Sequence, residues 1–64
     1  MVKINGKEEP VQGQTLLSYL ETNGYSRDRI AVECNEEIIP KSEYEHRILQ
    51  DGDVVEIVCF VGGG

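Results

Sequence analysis

Apolar and polar positions alternate with period two over several short stretches of this chain, and at one place they recur at helical spacing. In residues 1–5, Val2 and Ile4 fall on one side and Lys3 on the other, the pattern of a strand with one buried face. Asn5-Gly6 follows, and a two-residue hairpin turn of the primed type needs the positive φ that Asn and Gly tolerate. A second strand is expected over residues 8–12. Pro10 has no amide hydrogen to give to a ladder, which puts that strand at an edge of the sheet.

The period then lengthens. Thr15 can cap a helix whose apolar residues Leu16, Tyr19 and Leu20 share one face, with Gly24 placed to end it. Alternation returns at Ile30-Ala31-Val32-Glu33-Cys34, with Ile30, Val32 and Cys34 facing inward. Asn35-Glu36-Glu37 reads as a turn into a short strand around Ile38-Ile39, which Pro40 ends. Residues 41–50 are polar with Tyr44, Ile48 and Leu49 as anchors, a loop with a helical turn. Asp51-Gly52-Asp53 makes a tight turn into the last strand.

That last strand, around Val54-Val55-Glu56-Ile57-Val58-Cys59-Phe60, assigns its own faces. With Glu56 toward water, Val58 and Phe60 are exposed too, and Val55, Ile57 and Cys59 enter the core. Val58 and Phe60 then form an apolar patch of the kind that marks protein contacts, directly before Val61-Gly62-Gly63-Gly64. Without Cβ atoms, glycines can bring the backbone close to another protein's catalytic groups. The expected organisation is a domain over residues 1–61 and a flexible tail over 62–64. The Gly64 carboxylate is the expected reactive group, and Val58, Phe60, Val61, Gly62 and Gly63 are the expected partner contacts. An inert spacer is the alternative reading of the same glycines.

Composition narrows the partners. The chain has 64 residues, a size that buries only about 60% of the unfolded surface and leaves no room for a deep catalytic cavity. Six Lys and Arg against twelve Asp and Glu give a net charge of −6. That charge repels phosphate backbones and anionic lipid, so nucleic acid and membrane are disfavoured and a basic protein surface is favoured. The longest apolar run, residues 57–61, is far short of the roughly 20 residues that span a bilayer. No signal peptide is evident, and the expected compartment is the cytoplasm. Cys34 and Cys59 are too far apart for a redox Cys-x-x-Cys pair and too few for a zinc site. They are read as small buried hydrophobes; a disulfide between them requires neighbouring strands and is opposed by a reducing compartment. His46 has no evident acid, base or nucleophile partner and is placed at the surface of the polar loop.

The order hairpin, helix, strand, short strand, loop, strand resembles the ubiquitin-like β-grasp fold, an α+β architecture with a mixed four- to five-stranded sheet packed on one main helix. Within it the chain resembles the thiamine-biosynthesis sulfur carriers of the ThiS family. The resemblance runs through the Asn-Gly hairpin, the Thr-Leu-Leu helix start, residues 32–39, Ile39-Pro40-Lys41-Ser42-Glu43-Tyr44, residues 49–58 with Asp51-Gly52-Asp53, and the ending Val61-Gly62-Gly63-Gly64. It implies a carrier, not an enzyme. A separate E1-like adenylating enzyme would use ATP and magnesium to convert the Gly64 carboxylate into an acyl adenylate. A persulfide donor would supply sulfur to leave a thiocarboxylate, and thiazole synthase would receive it. The chain has no Gly-x-x-x-x-Gly-Lys loop of its own, so no cofactor is expected to bind it. Where many family members have Asn-Gly-Glu, this chain has Asn35-Glu36-Glu37, a turn that must accommodate a Cβ. Cys59 lies near enough to the tail for thiol exchange with a persulfide to be a further reading. A molybdopterin synthase small subunit, a ubiquitin-like modifier joined to lysines, and a passive β-grasp interaction domain share parts of the pattern.

Overall fold

Asn5 and Gly6 take φ of 51° and 83°, the left-handed pair that a tight hairpin requires. They join β1 (Val2–Ile4) to β2 (Lys7–Glu9) in the computed structural model, which describes residues 1–60. The remaining regular elements are α1 (Leu16–Thr22), β3 (Ile30–Cys34), β4 (Glu37–Ile39) and β5 (Val54–Cys59). The strands form one sheet in the order β2-β1-β5-β3-β4. Only β1 and β5 run parallel; the other neighbours are antiparallel. A mixed five-stranded sheet on one helix is the β-grasp arrangement that the sequence resembles.

The helix begins and ends where local chemistry dictates. Thr15 Oγ1 accepts from the Ser18 amide at 3.1 Å, satisfying a first-turn N–H. At the other end Gly24 has φ +78°, its N–H donates to the Glu21 carbonyl, and Tyr25 N–H donates to the Leu20 carbonyl at 2.9 Å, the paired bonds of a Schellman cap. Leu16, Tyr19 and Leu20 face the sheet and are buried. They meet Val2 and Ile4 of β1, Ile30 and Val32 of β3, and Val55 and Ile57 of β5 in a single core, where each large apolar side chain contributes about 1.5–3 kcal/mol.

The loop of residues 40–53 closes the remaining side. It opens with a 3-10 turn, Lys41–Glu43, and buries Tyr44 and Leu49. Leu16 N–H donates to the Arg47 carbonyl, Leu17 N–H to that of Tyr44, and Gly13 and Leu49 exchange further bonds with residues 49 and 14. The polar loop is thereby laced to the start of the helix.

Three sequence expectations change. β2 stops at Glu9 instead of running through residues 8–12, because Pro10 cannot donate and Gly13 N–H turns to the Leu49 carbonyl. The edge position of β2 stands. Ile48 is not an anchor but is exposed: it sits in an extended bridge to Thr15, and with its neighbour Leu49 turned inward, alternation turns Ile48 out. Cys59 is exposed instead of entering the core. Ile57 N–H donates to Asn5 Oδ1, and past that point β5 has no β1 neighbour, so Cys59 is flanked on one side only. A short 3-10 turn, Arg27–Arg29, has no counterpart in the sequence reading.

The β3–β4 turn bears out the need to accommodate a Cβ. Asn35 and Glu36 adopt φ of 54° and 69°, and Glu36 occupies the second position, where Gly6 serves in the first hairpin. A left-handed non-glycine residue costs about 1–2 kcal/mol, partly offset by the smaller unfolded-state entropy of Glu. Glu36→Gly is therefore expected to stabilise the fold by about 0.5–1 kcal/mol, seen as a rise of a few degrees in Tm by circular dichroism; an unchanged or lower Tm contradicts it.

Candidate functional site

β5 is the best-supported strand of the sheet on its β3 side, paired from Cys34↔Val55 to Ile30↔Cys59. Alternation therefore has a rigid frame. Val55 and Ile57 point at α1 and are buried, whereas Val58 and Phe60 are 56% and 54% exposed on the opposite face. Phe60 is held in place although its side chain is open: its N–H donates to the Arg29 carbonyl at 2.7 Å. The expected contacts Val58 and Phe60 thus form an apolar patch on a fixed support, with half-buried Ala31 opposite Val58 on β3. Val61, Gly62, Gly63 and Gly64, with the expected domain boundary after residue 61, lie outside the described residues.

The two thiols have opposite environments. Cys34 is buried on β3, where Arg47 Nη2 donates to its Sγ at 3.0 Å. Burial and the nearby Asp53 carboxylate push the thiol pKa up, against the opposing pull of Arg47, so Cys34 is protonated and inert at neutral pH. Cys59 is free and exposed. Although their strands are neighbours, Cys34 stands opposite Val55 and Cys59 opposite Ile30, an offset of about 13 Å along the ladder. A disulfide needs Cα atoms within about 7 Å, and the register forbids it.

Sequence reasoning missed a polar knot at the entry to β5. Asp53 is buried and accepts from Asn35 Nδ2 at 3.0 Å and from the Gln50 amide at 2.9 Å. Asn35 Oδ1 in turn accepts from the Val54 amide. One asparagine therefore makes the β3–β4 turn and also fixes where β5 begins. His46 is exposed in the loop, as expected, and its nearest partner is Glu45 at 3.9 Å. Among the described residues no group of His, Cys, Asp and Glu is arranged to hold a metal, and no helix is long and apolar enough to cross a membrane.

Comparison with known proteins bears directly on this arrangement. The ThiS family model matches residues 2–64. A sulfur carrier protein ThiS from Thermus thermophilus is 44% identical over 64 residues, covering 100% of both chains. A thiazole synthase from Paramagnetospirillum magneticum is 44% identical over 62 residues, which are 95% of this chain but 19% of that protein. The crystal structure of a thiamine biosynthesis protein (ThiS) from Geobacter metallireducens superposes with a TM-score of 0.76 at 25% identity, covering 98% of this chain and 97% of the other. Agreement of sequence over the full length with agreement of fold, in a domain whose last strand leads an apolar patch into a glycine tail, leaves one assignment: the chain belongs to the ThiS family, the sulfur carriers of thiamine biosynthesis.

Proposed function

We propose that this chain carries sulfur as a thiocarboxylate on Gly64 and hands it to thiazole synthase, with no catalytic step of its own. The observation that supports the reading is the pairing of a rigid apolar patch, Val58 and Phe60, with the glycine run that follows it, in a chain the family model matches through residue 64. The thiazole synthase in which a segment 44% identical to this chain makes up 19% of the length supports the recipient.

The chemistry explains the division of labour. A carboxylate at neutral pH resists nucleophiles. An E1-like partner that binds ATP and magnesium would let the Gly64 carboxylate displace pyrophosphate, making AMP the leaving group; the outer sulfur of a persulfide donor would then attack the acyl carbon and expel AMP to give an acyl disulfide, which a second thiol would reduce, freeing the thiocarboxylate and leaving a disulfide between that thiol and the donor. Gly62 and Gly63 would pass through the partner's channel, with Val58, Phe60 and Val61 braced against its mouth. The acidic surface steers encounter with a basic face, an effect salt weakens. Free thiols at Cys34 and Cys59 suit the reducing cytoplasm, where we place the protein.

Phe60→Asp is the direct test. The ring is already half open to solvent, so the fold is retained, while the loss of an aromatic contact should raise the activating enzyme's KM for the chain by about tenfold or more. Unchanged KM would mean the patch is not the contact. Incubating the unaltered chain with the activating enzyme, ATP with magnesium, a persulfide donor and a reducing thiol should yield a product heavier by the difference between sulfur and oxygen. A chain that never gains that mass would instead be a passive interaction domain.

A further inference from the structure

β4 ends at Ile39, because Pro40 has no N–H to give and Lys41 opens a 3-10 turn. Two residues further along the register Val32↔Ile39, Lys41 would stand opposite Ile30. The backbone no longer pairs there, and the side chain takes over. Lys41 Nζ donates to the Ile30 carbonyl at 3.0 Å and to the Arg27 carbonyl at 2.8 Å. Arg27 returns the contact, with Nη2 donating to the Lys41 carbonyl at 3.4 Å and its guanidinium 6.0 Å from the Tyr44 ring centroid. An ammonium carries three donors on a compact charged head. One lysine can therefore replace a ladder bond that the proline removes and hold a second carbonyl as well.

Those two carbonyls bracket the residues that hold the end of β5. Between them lies Arg29, whose carbonyl accepts from Phe60 N–H at 2.7 Å while its own N–H is given to the Ser26 carbonyl. Phe60 thus has one bond to Arg29 where a hydrogen-bonded antiparallel pair exchanges two. Cys59, the residue before it, stands opposite Ile30. On the other side of β5 the β1 pairing ends at Ile4↔Val55, and Asn5 reaches only as far as Ile57. Among the described residues, the last two of the chain are therefore supported from the side of Arg29 and Ile30, and Lys41 ties down the backbone before and after Arg29.

Resting on the sulfur-carrier reading, we propose that Lys41 is a positioning residue for adenylation of Gly64. It touches no reacting atom. Acting through residues 27–30, it fixes the direction in which the chain leaves Phe60, and so where the terminal carboxylate is delivered. Gly64 follows Phe60 by four residues, a reach of up to about 14 Å, so a small rotation at Phe60 becomes a displacement of about 1 Å at the carboxylate. A misplacement of that size can cost about a hundredfold in rate. Val58 is held separately, by its pairing with Ala31 deeper in the ladder. Releasing the lysine clamp therefore loosens the exit of the tail and leaves most of the apolar patch in place.

Lys41→Met keeps the aliphatic stem and removes both bonds. Pyrophosphate exchange with the activating enzyme, run well below the variant's Tm, should show kcat lowered by about tenfold and KM within about twofold of the unaltered chain. Lys41→Arg can still donate to both carbonyls and should bring kcat back to within about threefold. Amide hydrogen exchange in Lys41→Met should quicken by about tenfold at Phe60 and stay unchanged at Val58. A lysine that only stabilises the fold would lower Tm without changing the kcat of the folded protein and without singling out Phe60. A kcat for Lys41→Met within about twofold of the unaltered chain, a loss carried by KM alone, a loss that Lys41→Arg does not relieve, or unchanged exchange at Phe60 would each overturn the proposal. An unaltered chain that the activating enzyme never adenylates would instead overturn the sulfur-carrier reading on which it rests.

Discussion

Gly63→Ala is expected to cut adenylation of Gly64 by about a hundredfold or more in kcat/KM and to leave Tm unchanged. The substitution lies beyond the described residues, the last of which, Phe60, donates its N–H to the Arg29 carbonyl. What changes is the width of the chain next to the reacting carboxylate. A methyl group on Gly63 excludes the positive φ values that glycine alone adopts freely and thickens the segment proposed to enter the partner's channel. A displacement of about 1 Å at the acyl carbon is enough for a loss of that size. Pyrophosphate exchange with purified activating enzyme reads the effect. Phe60→Asp and Gly63→Ala should differ in kind, the first raising KM through lost docking and the second lowering kcat through misplacement. Normal exchange kinetics for Gly63→Ala would end the threading argument.

Tyr44→Ala should remove about 3–5 kcal/mol, a third or more of the protein's total stability. A chain of 64 residues has about 3–10 kcal/mol of total stability by the usual per-residue range, and removing a buried aromatic side chain costs about 3–5 kcal/mol. Tyr44 is among the largest fully buried side chains, at 1% exposure. Its position explains why the loss does not stay local. The Tyr44 carbonyl accepts from Leu17 N–H in the helix, and Arg27 stacks at 6.0 Å from its ring centroid. The residue thus joins the polar loop, the helix and the turn before β3. Urea unfolding followed by circular dichroism should show the midpoint lowered by a third or more, with Tyr44→Phe close to the unaltered protein. A folded Tyr44→Ala variant that loses less than about 1 kcal/mol would show that the loop contributes little to the core.

Most of the exposed apolar patch was legible in the chain because a strand assigns its faces by alternation alone. Placing Val55 and Ile57 inward exposes Val58 and Phe60 without reference to any distant residue. Ile38 was within reach of the same logic. A two-residue turn at Asn35-Glu36 sets Cys34 opposite Glu37, hence Glu33 opposite Ile38 and Val32 opposite Ile39, and an inward Val32 then turns Ile38 out. Only the fold shows that β4 is an edge strand of the sheet. Cys59 shows the limit of alternation. It lies on the face predicted, yet none of the described residues buries it there, because β1 has already ended.

Turns, caps and the side to which a strand residue points are set by neighbours a few bonds away, so Asn5-Gly6, Thr15, Gly24 and the alternation of β5 could be read from residue order alone. Whether a side chain so oriented is covered, opposed by a like charge or bonded depends on segments brought together from far along the chain. Glu33 meets Glu56 only because β3 lies beside β5 in that register, and Asn35 meets Asp53 only because the loop between them folds back. Burial and electrostatics act through space, and sequence separation carries no information about that distance until the sheet has formed.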